Sequence, residues 1–317
     1  MKKRPLIILT GPTAVGKTEI SIKLAKAVNG EIISADSMQV YKRMDIGTAK
    51  IMPEEMQGVK HYLIDVLEPQ DEFNVFTFKK LAMEAMEEIY SKGRIPIIVG
   101  GTGFYIQSVL YNIDFSESSQ DSSYREELEQ IVKAKGSEYL HGMLKKVDSK
   151  SAGEIHHNNI KRVIRALEYF HQNNRPISEH NEEQRHNEAP YNFLYICLND
   201  RREKVYERID RRVDIMFDNG LVEEVKCLVS EGCHEDMISM KGIGYKEVID
   251  YLKGRISLDE ARYIIKRNTR HFAKRQLTWF RREKDVTMID YSEFDNNKEK
   301  VLAYMLDLIE EKIEEKN

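Results

Sequence analysis

The chain has 317 residues, of which 41% are hydrophobic and 32% are charged. This length and composition exclude a chain that is disordered throughout, and they allow either one large domain or two smaller ones. Because 49 lysines and arginines face 53 aspartates and glutamates, the formal net charge is -4. The chain as a whole therefore does not attract nucleic acid or an anionic membrane, and any polyanion must be held by a local basic surface.

Cysteines and apolar runs narrow the possibilities further. The three cysteines, Cys197, Cys227 and Cys233, form no Cys-x-x-Cys pair, which argues against a disulfide framework and against a cysteine-rich zinc site. The first apolar run, Leu6–Leu9, is far shorter than the ~20 residues that span a bilayer. We therefore expect a cytoplasmic protein that does not contact membranes. No long coiled-coil pattern requires a second chain, so we expect a monomer without an obligate protein partner.

The first part of the chain alternates between predicted strands and predicted helices. A strand at Leu6–Leu9 is followed by a glycine-containing loop and by a helix that ends at Asn29-Gly30. Further strands are predicted at 31–35, 62–66 and 95–99, the last of them after another helix. Such alternation is typical of an α/β fold, and we predict a parallel sheet of the P-loop NTPase type with helices on both faces.

The pattern changes near Asp114. Residues 115–189 are at first rich in serine and acids and then helical in periodicity, and they predict an all-helical insertion domain. A strand at Tyr191–Leu198 returns to the sheet, and the rest of the sequence predicts a helical C-terminal part that ends in an amphipathic helix. The predicted core domain thus comprises residues 1–114 and 190–317.

A phosphate-binding loop is indicated by Gly11-x-x-x-x-Gly16-Lys17-Thr18, which lies between the first predicted strand and the first predicted helix. Glycines let backbone N–H groups surround an anion, the helix N-terminus adds positive potential, the lysine neutralises phosphate charge and the threonine can ligand Mg²⁺. We therefore predict a diphosphate or triphosphate ligand, although a chance match in an ordinary strand-to-helix turn is the alternative. The residues expected to bind it are Gly11, Thr13, Ala14, Val15, Gly16, Lys17 and Thr18.

A nucleoside-triphosphate hydrolase would normally also have an apolar strand that ends in an aspartate, which holds Mg²⁺. The predicted strand at 95–99 ends in glycine instead, whereas Tyr62–Asp65 could supply such an aspartate. A motor or a signalling GTPase is therefore disfavoured without being excluded.

Two strand ends carry candidate catalytic groups. Asp36 follows the second predicted strand, where a carboxylate could act as a general base, but an aspartate there could equally cap the next turn. Gly100-Gly101-Thr102 follows another strand, where the glycines permit close approach of a ligand and the threonine could bond to a phosphate or a base. A tight strand-to-helix turn would explain the glycine pair as well.

A strongly basic segment lies towards the C-terminus, where residues 262–284 contain nine lysines and arginines against one acid. Arg262, Lys266, Arg270 and Lys274 recur every four residues, so a helix would align them in one stripe. Because solvated helix faces usually mix charge signs, we interpret this stripe as a nucleic-acid surface rather than as an ordinary solvated face.

Two smaller basic clusters lie elsewhere. Lys161, Arg162 and Arg165 belong to the predicted insertion. Another cluster follows the returning strand and consists of Arg201, Arg202, Arg208, Arg211 and Arg212. The second cluster is interleaved with acids, as an ordinary salt-bridged helix would be. Neither cluster identifies a ligand by itself.

Taken together, the motifs resemble those of the bacterial tRNA dimethylallyltransferases. The matching stretches are residues 11–18, 33–41, 44–50, 99–105, 158–168, 242–246 and 273–279. In this order they are far more specific than the P-loop alone. Within the insertion, His157 and Asn159 stand where the family usually has proline and aspartate.

The resemblance implies an enzyme, a prenyltransferase that moves the dimethylallyl group of dimethylallyl diphosphate to N6 of the adenosine beside the tRNA anticodon and releases diphosphate. It implies that the P-loop binds the donor diphosphate together with Mg²⁺, which Thr18 would contact, and that Arg208 or Arg211 adds a diphosphate contact. The implied catalytic residues are Asp36 as the general base, Lys17 and Thr102.

The resemblance also implies that the insertion and the basic stripe contact the anticodon stem-loop of tRNA. The residues expected to contact tRNA are Asp36, Ser37, Met38, Gln39, Thr102, Arg125, Lys161, Arg162, Arg165, Lys241, Gly242, Tyr245, Lys246, Lys266, Arg270 and Lys274.

Two other classes of protein would also use a P-loop. A kinase of a small metabolite or nucleoside would bind ATP there, but it has no need of a basic stripe. A noncatalytic RNA-binding protein would use the loop as a nucleotide switch.

Overall fold

The computed structural model describes three stretches of the chain. These are residues 3–114, 123–184 and 187–314. The chain divides into two compact units, of which Met1–Leu110 and Pro190–Asn317 form the first and Tyr111–Ala189 form the second. No helix in the described stretches is long and apolar enough to cross a bilayer.

The first unit is built on a single sheet of parallel strands. The strands are β1 (Arg4–Thr10), β2 (Gly30–Ala35), β3 (His61–Tyr62), β4 (Ile95–Gly100), β5 (Tyr191–Asn199) and β6 (Val286–Asp290). They are hydrogen-bonded in the order β3-β2-β4-β1-β5-β6. The predicted fold class, an α/β fold of the P-loop NTPase type, is confirmed.

Thirteen helices lie within the described residues. They are α1 (Lys17–Ala27), α2 (Val75–Ser91), α3 (Gly103–Leu110), α4 (Ser123–Lys135), α5 (Ser137–Val147), α6 (Ser149–Glu154), α7 (Ile160–Asn173), α8 (Ile177–Gln184), α9 (Arg202–Asp218), α10 (Leu221–Ser230), α11 (Tyr245–Leu252), α12 (Leu258–Phe280) and α13 (Lys298–Ile309). Helices α4 to α8 belong to the second unit. Short 3₁₀ turns form at Ser239–Lys241 and Tyr291–Phe294, and a π-helical turn at Glu310–Glu314 continues α13.

Alternate side chains of β1 pack into two apolar cores, one on each face of the sheet. Ile7 and Leu9 belong to the same buried cluster as Ile20 of α1. Leu6 and Ile8 point to the opposite face and are just as fully buried. A strand that is apolar on both faces is typical of a parallel sheet, whose crossover connections cover both sides.

The register places the ends of three neighbouring strands level with one another. Thr10 of β1 lies opposite Gly100 of β4, and Gly100 lies opposite Ala35 of β2. The Thr10 hydroxyl donates to the carbonyl oxygen of Gly100 at 2.8 Å. Because adjacent strands are about 4.8 Å apart, Gly11 and Asp36, the next residues of the two outer strands, start roughly 10 Å from each other.

Two details of the predicted sheet differ from the structure. The strand expected at 62–66 ends after Tyr62, because Leu63 (φ 62°) and Asp65 (φ 55°) adopt left-handed conformations that cannot continue a strand. The C-terminal part is not wholly helical, since β6 pairs with β5. This strand was not predicted because it has only five residues and directly follows a basic segment, so its sequence shows little periodicity.

The second unit has its own core, and its described residues contain no strand. The buried apolar residues are Leu128, Leu140, Leu144, Ala152, Ile155, Val163, Ile164, Ala166 and Leu167. Asp148, which is 3% exposed, accepts hydrogen bonds from the backbone and hydroxyl groups of Ser151 and Ser178. Burial acts to raise the pKa of this carboxyl, but the hydrogen bonds outweigh it and hold the pKa below its usual value. An ionised Asp148 therefore joins α6 to α8.

Gly100→Ala is expected to destabilise the first unit. A Cβ at this position would lie 2.3 Å from the carbonyl oxygen of Ala35 and 2.7 Å from its Cβ, so two paired strands would have to separate. We expect the free energy of unfolding, measured by urea denaturation, to fall by about 1–3 kcal/mol. The control is Gly93→Asn, because position 93 has open space around it and a φ of 67°, which asparagine tolerates. An equal loss in both variants would contradict the packing argument.

Candidate active site

The P-loop turns tightly where β1 meets α1. Gly11 (φ 145°) and Gly16 (φ 103°) adopt conformations that favour glycine, and Ala14 (φ 63°) is held in the left-handed region as well. A Cβ at Gly11 would lie 2.5 Å from the carbonyl oxygen of Leu198 in β5, so no larger residue fits there. Successive backbone N–H groups in such a turn, followed by a helix N-terminus, form an anion-binding cradle.

The Lys17 ammonium folds back onto this loop. Its Nζ donates to the carbonyl oxygens of Gly11 and Pro12, at 2.9 Å each. Burial, together with the positive charge of Arg212, lowers the pKa of Lys17 to about 8, while the carboxylate of Asp36 opposes the shift. A half-buried ammonium of this kind is stabilised by any phosphate that comes within hydrogen-bond distance.

Of the two roles that the sequence left open for Asp36, general base and cap of the next turn, the structure shows the cap. Its Oδ1 accepts hydrogen bonds from the N–H groups of Met38, at 2.9 Å, and Gln39, at 3.3 Å, so the residue does cap the turn after β2. Its Oδ2 accepts no hydrogen bond from any residue that the structure describes. The same carboxylate raises the pKa values of Lys17 and Arg212. It therefore lies close to the phosphate loop and keeps one oxygen for a ligand.

The glycine turn after β4 lies between these two loops. The Thr102 N–H donates to the carbonyl oxygen of Ala35 at 3.2 Å, which ties the turn to β2 directly before Asp36. Helix α12 packs against the turn, and a Cβ at Gly101 would lie 2.0 Å from Nε2 of Gln276. The missing side chain of Gly101 thus makes room for helix packing, and Thr102 is half-buried at the edge of the sheet.

A further positive charge reaches the site from α9. Burial, followed by the adjacent charge of Arg208, lowers the pKa of Arg212, while Asp36 raises it. Arg208 itself donates to Asp200 at 2.6 Å, and Arg211 is exposed. The resemblance implied a diphosphate contact from Arg208 or Arg211, and Arg212 was noted only as a member of the basic cluster, so its place beside Lys17 was missed. Helical periodicity is the signal that would have found it, because residues four apart share one face of a helix.

Ser37, Met38 and Gln39 are half-buried in the loop after β2. The Gln39 amide donates to two carbonyl oxygens of the stretch 44–50, at 3.2 and 3.3 Å. Met38 packs against Gly242, where a Cβ would lie 2.5 Å from the methionine Cε. The loop expected to contact tRNA is therefore braced from two sides.

Glu224 of α10 holds a second turn in this region. Its carboxylate accepts hydrogen bonds from the N–H groups of residues 45–47 and from the hydroxyl of Tyr245, at 2.7 to 3.1 Å. Tyr245 is 1% exposed. The tyrosine that was expected to contact tRNA is thus an interior residue, whereas Lys241 and Lys246 are exposed.

Much of the basic stripe on α12 is neutralised by α9. Arg262 and Lys266 pair with Asp214, and Arg270 pairs with Asp210. Charge counted along the sequence misses acids that another helix supplies across space. This part of the stripe is an interhelical series of ion pairs rather than the free basic face that was expected.

Unpaired positive charge lies further along the same helix, in an open groove of about 410 Å³. The groove is lined by His271, Lys274, Arg275, Thr278, Trp279 and Arg282. Its three cations form no salt bridge with any described residue. Trp279 is 38% exposed, so its ring is available to stack on a base.

The basic residues expected to act in the second unit divide in the same way. Arg125 forms a bidentate ion pair with Glu168, through bonds of 2.7 and 2.8 Å. Lys161 and Arg162 are exposed on the first turn of α7, and Arg165 is half-buried one turn later. Among described residues these three have no salt-bridge partner, so α7 offers positive charge to a ligand.

Asp65, which the sequence offered as a possible Mg²⁺ ligand, forms an ion pair within the protein instead. The ammonium of Lys50, whose side chain is 1% exposed, pairs with Asp65 and Asp45 and donates to the carbonyl oxygen of Tyr41. The described residues contain no group of three or more His, Cys, Asp or Glu that could hold a metal ion. Thr18 is exposed at the start of α1, so the loop can offer one hydroxyl to a cation whose other ligands come from phosphate and water.

Comparison with known proteins agrees with this geometry. The sequence profile of a family described as "IPP transferase" matches residues 39–283. A protein named tRNA dimethylallyltransferase from Lachnoclostridium phytofermentans is 59% identical over 309 residues, which cover 98% of either chain. Another protein of that name, from Acetivibrio thermocellus, is 52% identical over 303 residues, which cover 95% of this chain and 97% of its own.

Solved structures give the same result. The full-length tRNA isopentenylpyrophosphate transferase from Bacillus halodurans has a TM-score of 0.72 and 45% identity, with 98% of both chains covered. A eukaryotic dimethylallyltransferase described as acting on tRNA has a TM-score of 0.84 and 29% identity, with 98% of this chain and 80% of that chain covered. The resemblance predicted from the motifs is confirmed, and with it the expectation of a transferase enzyme. The chain belongs to the IPP transferase family.

Proposed function

We propose that the chain is a tRNA dimethylallyltransferase, which moves the dimethylallyl group of dimethylallyl diphosphate to N6 of the adenosine beside the anticodon. The products would be N6-isopentenyladenosine in tRNA and free diphosphate. The observation that carries the proposal is that the P-loop with Lys17, the turn with Thr102 and the carboxylate of Asp36 meet at one edge of the sheet. The names of the relatives support the same reaction.

The P-loop would hold the donor by its diphosphate. Lys17 and the N-terminus of α1 would face the phosphate oxygens, and Arg212 and Arg208 would add positive charge from α9. The negative charge on the diphosphate grows as the carbon–oxygen bond breaks, so these groups act most strongly in the transition state. Arg211, exposed on the same helix, is left out of this assignment.

Two N–H groups of the loop are already in use. The Thr13 N–H donates to the Gln276 side chain at 2.8 Å, and the Val15 N–H donates to the carbonyl oxygen of Pro12 at 3.3 Å. We therefore assign the backbone N–H groups of Thr13 and Val15 to the shape of the loop, and those of Ala14 and Gly16 to the ligand.

Mg²⁺ would lie against the donor at Thr18, whose hydroxyl is the protein ligand we assign. When bound, it neutralises charge on the diphosphate oxygens. One protein ligand is sufficient, because Mg²⁺ usually keeps several waters and takes further oxygens from a bound phosphate.

The reaction also needs a group that takes a proton from the nucleophile. The lone pair on N6 forms a bond to C1 of the dimethylallyl group as the bond from C1 to the diphosphate oxygen breaks, and N6 gives up one proton. We assign that proton to Oδ2 of Asp36, the oxygen that the turn does not use. Thr102, at the end of the neighbouring strand, would bond to the reacting groups through its hydroxyl.

We assign tRNA binding to charge that the protein does not neutralise itself. The target adenosine lies within a stem-loop, so it must leave its stack to enter the site. The residues that suit this contact are Lys161, Arg162, Arg165, Lys241, Lys246, Lys274, Arg275, Trp279 and Arg282. Arg125, Lys266 and Arg270 form ion pairs within the protein, and we assign them to structure instead.

The domain, cellular and oligomeric assignments follow from the same proposal. We assign residues 115–189 as a helical domain that contacts tRNA, although 115–122 and 185–186 lie outside the described residues. All the proposed catalytic groups come from one unit of one chain, so a monomer is sufficient. Its substrate would place the enzyme in the cytoplasm.

The test supplies unmodified tRNA, Mg²⁺ and either labelled dimethylallyl diphosphate or labelled ATP. The proposal expects prenyl label in tRNA. Phosphate transfer from ATP without prenyl transfer would instead identify a kinase, and nucleotide-dependent RNA binding without either transfer would identify a noncatalytic switch.

Asp36→Asn is expected to lower kcat by about 10²-fold or more, with tRNA affinity nearly unchanged. Asparagine keeps an oxygen that can accept from the Met38 and Gln39 N–H groups, so the turn survives while the base is lost. Single-turnover prenyl transfer and filter binding measure the two effects. Asp71→Asn is the matched control, because Asp71 accepts from the Glu68 N–H in an exposed turn. Near-normal turnover in the Asp36 variant would remove this residue as the base.

Lys17 is expected to titrate near pH 8, since burial lowers its pKa to about 8. Below that pH the ammonium is charged, so its contribution to diphosphate affinity is full there and is lost as the pH rises through 8. Acetylation of Lys17 by acetic anhydride, followed by mass spectrometry across pH, reports the titration directly, and saturating inorganic diphosphate should shift it upwards. Lys23 on the same helix is the control, because its contact with Glu299 raises its pKa. Reactivity of Lys17 that matches Lys23 would contradict the assignment.

Replacing Lys274 and Arg275 by glutamine should weaken tRNA binding. The slope of log Kd against log salt concentration should fall by up to ~1 for each phosphate that the variant no longer neutralises. Glutamine at Lys298 and Lys300 removes the same charge from α13, where these lysines pair with Glu19 and Asp295, and should leave the slope unchanged. If the two double variants have the same salt dependence, the groove does not bind tRNA phosphates and is an ordinary solvated surface.

A further inference from the structure

The side chain of Gln276 joins two loops of the candidate site. It lies in α12 and is 7% exposed. Its Oε1 accepts from the N–H of Thr13 in the P-loop at 2.8 Å, and its Nε2 donates to the carbonyl oxygen of Gly101 at 3.0 Å. The two partners follow β1 and β4, which are neighbours in the sheet.

The surrounding backbone is shaped to admit this amide. A Cβ at Gly101 would lie 2.0 Å from Nε2 of Gln276, so the close approach exists only because residue 101 is glycine. Gly103 makes similar room for Trp279, whose Cδ1 and Nε1 would lie 2.2 Å from an added Cβ. Helix α12 is thus seated against the glycine turn at two successive points.

The contact extends as far as the proposed base. Thr102, next to Gly101, donates its N–H to the carbonyl oxygen of Ala35 at 3.2 Å, and Ala35 directly precedes Asp36. A continuous path of hydrogen bonds and single peptide steps therefore runs from the loop that would hold the donor to the carboxylate that would accept the proton. Gln276 is the one side chain in that path.

Resting on the proposed function, we propose that Gln276 is a positioning residue that sets the spacing between the diphosphate loop and the turn that carries Thr102, and hence between the donor carbon and the base. A primary amide, like a protonated carboxyl group of the same length, can accept from Thr13 and donate to Gly101 with one planar group. Small misplacements matter in such a reaction, since a shift of about 1 Å can cost about 10²-fold in rate.

Gln276→Met keeps the length of the side chain and removes both hydrogen bonds. We expect kcat for prenyl transfer to fall by about 10²-fold, while the KM for dimethylallyl diphosphate changes little, because Lys17 and the remaining loop N–H groups still bind it. A rise in KM without loss of kcat would overturn the proposal. Thermal melting and inorganic diphosphate binding confirm that the variant is folded.

Gln276→Glu separates positioning from packing. The ionised carboxylate can accept from Thr13 but faces the carbonyl oxygen of Gly101, and burial raises the pKa of the introduced group. Once protonated, it reproduces both hydrogen bonds. We therefore expect the ratio of variant to wild-type kcat to recover as the pH falls from 8 to 5.5, whereas the ratio for Gln276→Met stays flat. Gln57→Glu, which adds the same charge at an exposed amide that Lys26 contacts, is the control.

The outcomes separate the two proposals. Wild-type protein that transfers no prenyl group overturns the proposed function and this inference with it. If the wild-type protein transfers the prenyl group normally, two results overturn the positioning role alone. One is a kcat ratio for Gln276→Glu that does not change with pH, and the other is an unimpaired kcat in the Gln276 variants.

Discussion

The pairing of β4 with β2 on one side and β1 on the other is the contact on which the rest of the structure depends. All three strands run the same way, so their carboxyl ends meet at one edge of the sheet, and the register stops them at the same level. Gly100 allows this because the backbone of Ala35 occupies the place of its missing side chain. The strand pairing thus brings a P-loop, a glycine turn and a carboxylate from distant parts of the chain together, and the bonds of Thr102 and Gln276 then link them.

The charge of this edge shows why a nearly neutral chain can still hold a polyanion. The charge of Arg212 helps to lower the pKa of Lys17, the charge of Arg208 helps to lower the pKa of Arg212, and Asp36 offsets part of both shifts. Concentrated, partly desolvated charge acts far more strongly on a phosphate than the same charge spread over a surface. Arg270 is an example of charge that does not act on a ligand, because it is neutralised by Asp210.

Features that depend on adjacent residues could be predicted from the sequence, and features that depend on contacts across space could not. The P-loop, the central strands and the position of Asp36 follow from local patterns. The ion pairs of α12 could not be foreseen, because Asp210 and Asp214 lie on another helix. The role of Gln276 was hidden for the same reason, since its two partners are 263 and 175 residues away.

Glu224 has a consequence for how this sequence can diverge. Its carboxylate accepts from three successive backbone N–H groups, which would otherwise be able to bind an anion from solution. The turn at residues 45–47 is therefore already occupied and is not a second phosphate site. The ring of Tyr245 packs against the same turn, and it lies 2.6 Å from where a Cβ at Gly47 would be. The glycine, the glutamate and the tyrosine therefore depend on one another, because replacing any one of them would leave the other two without a contact that they make now.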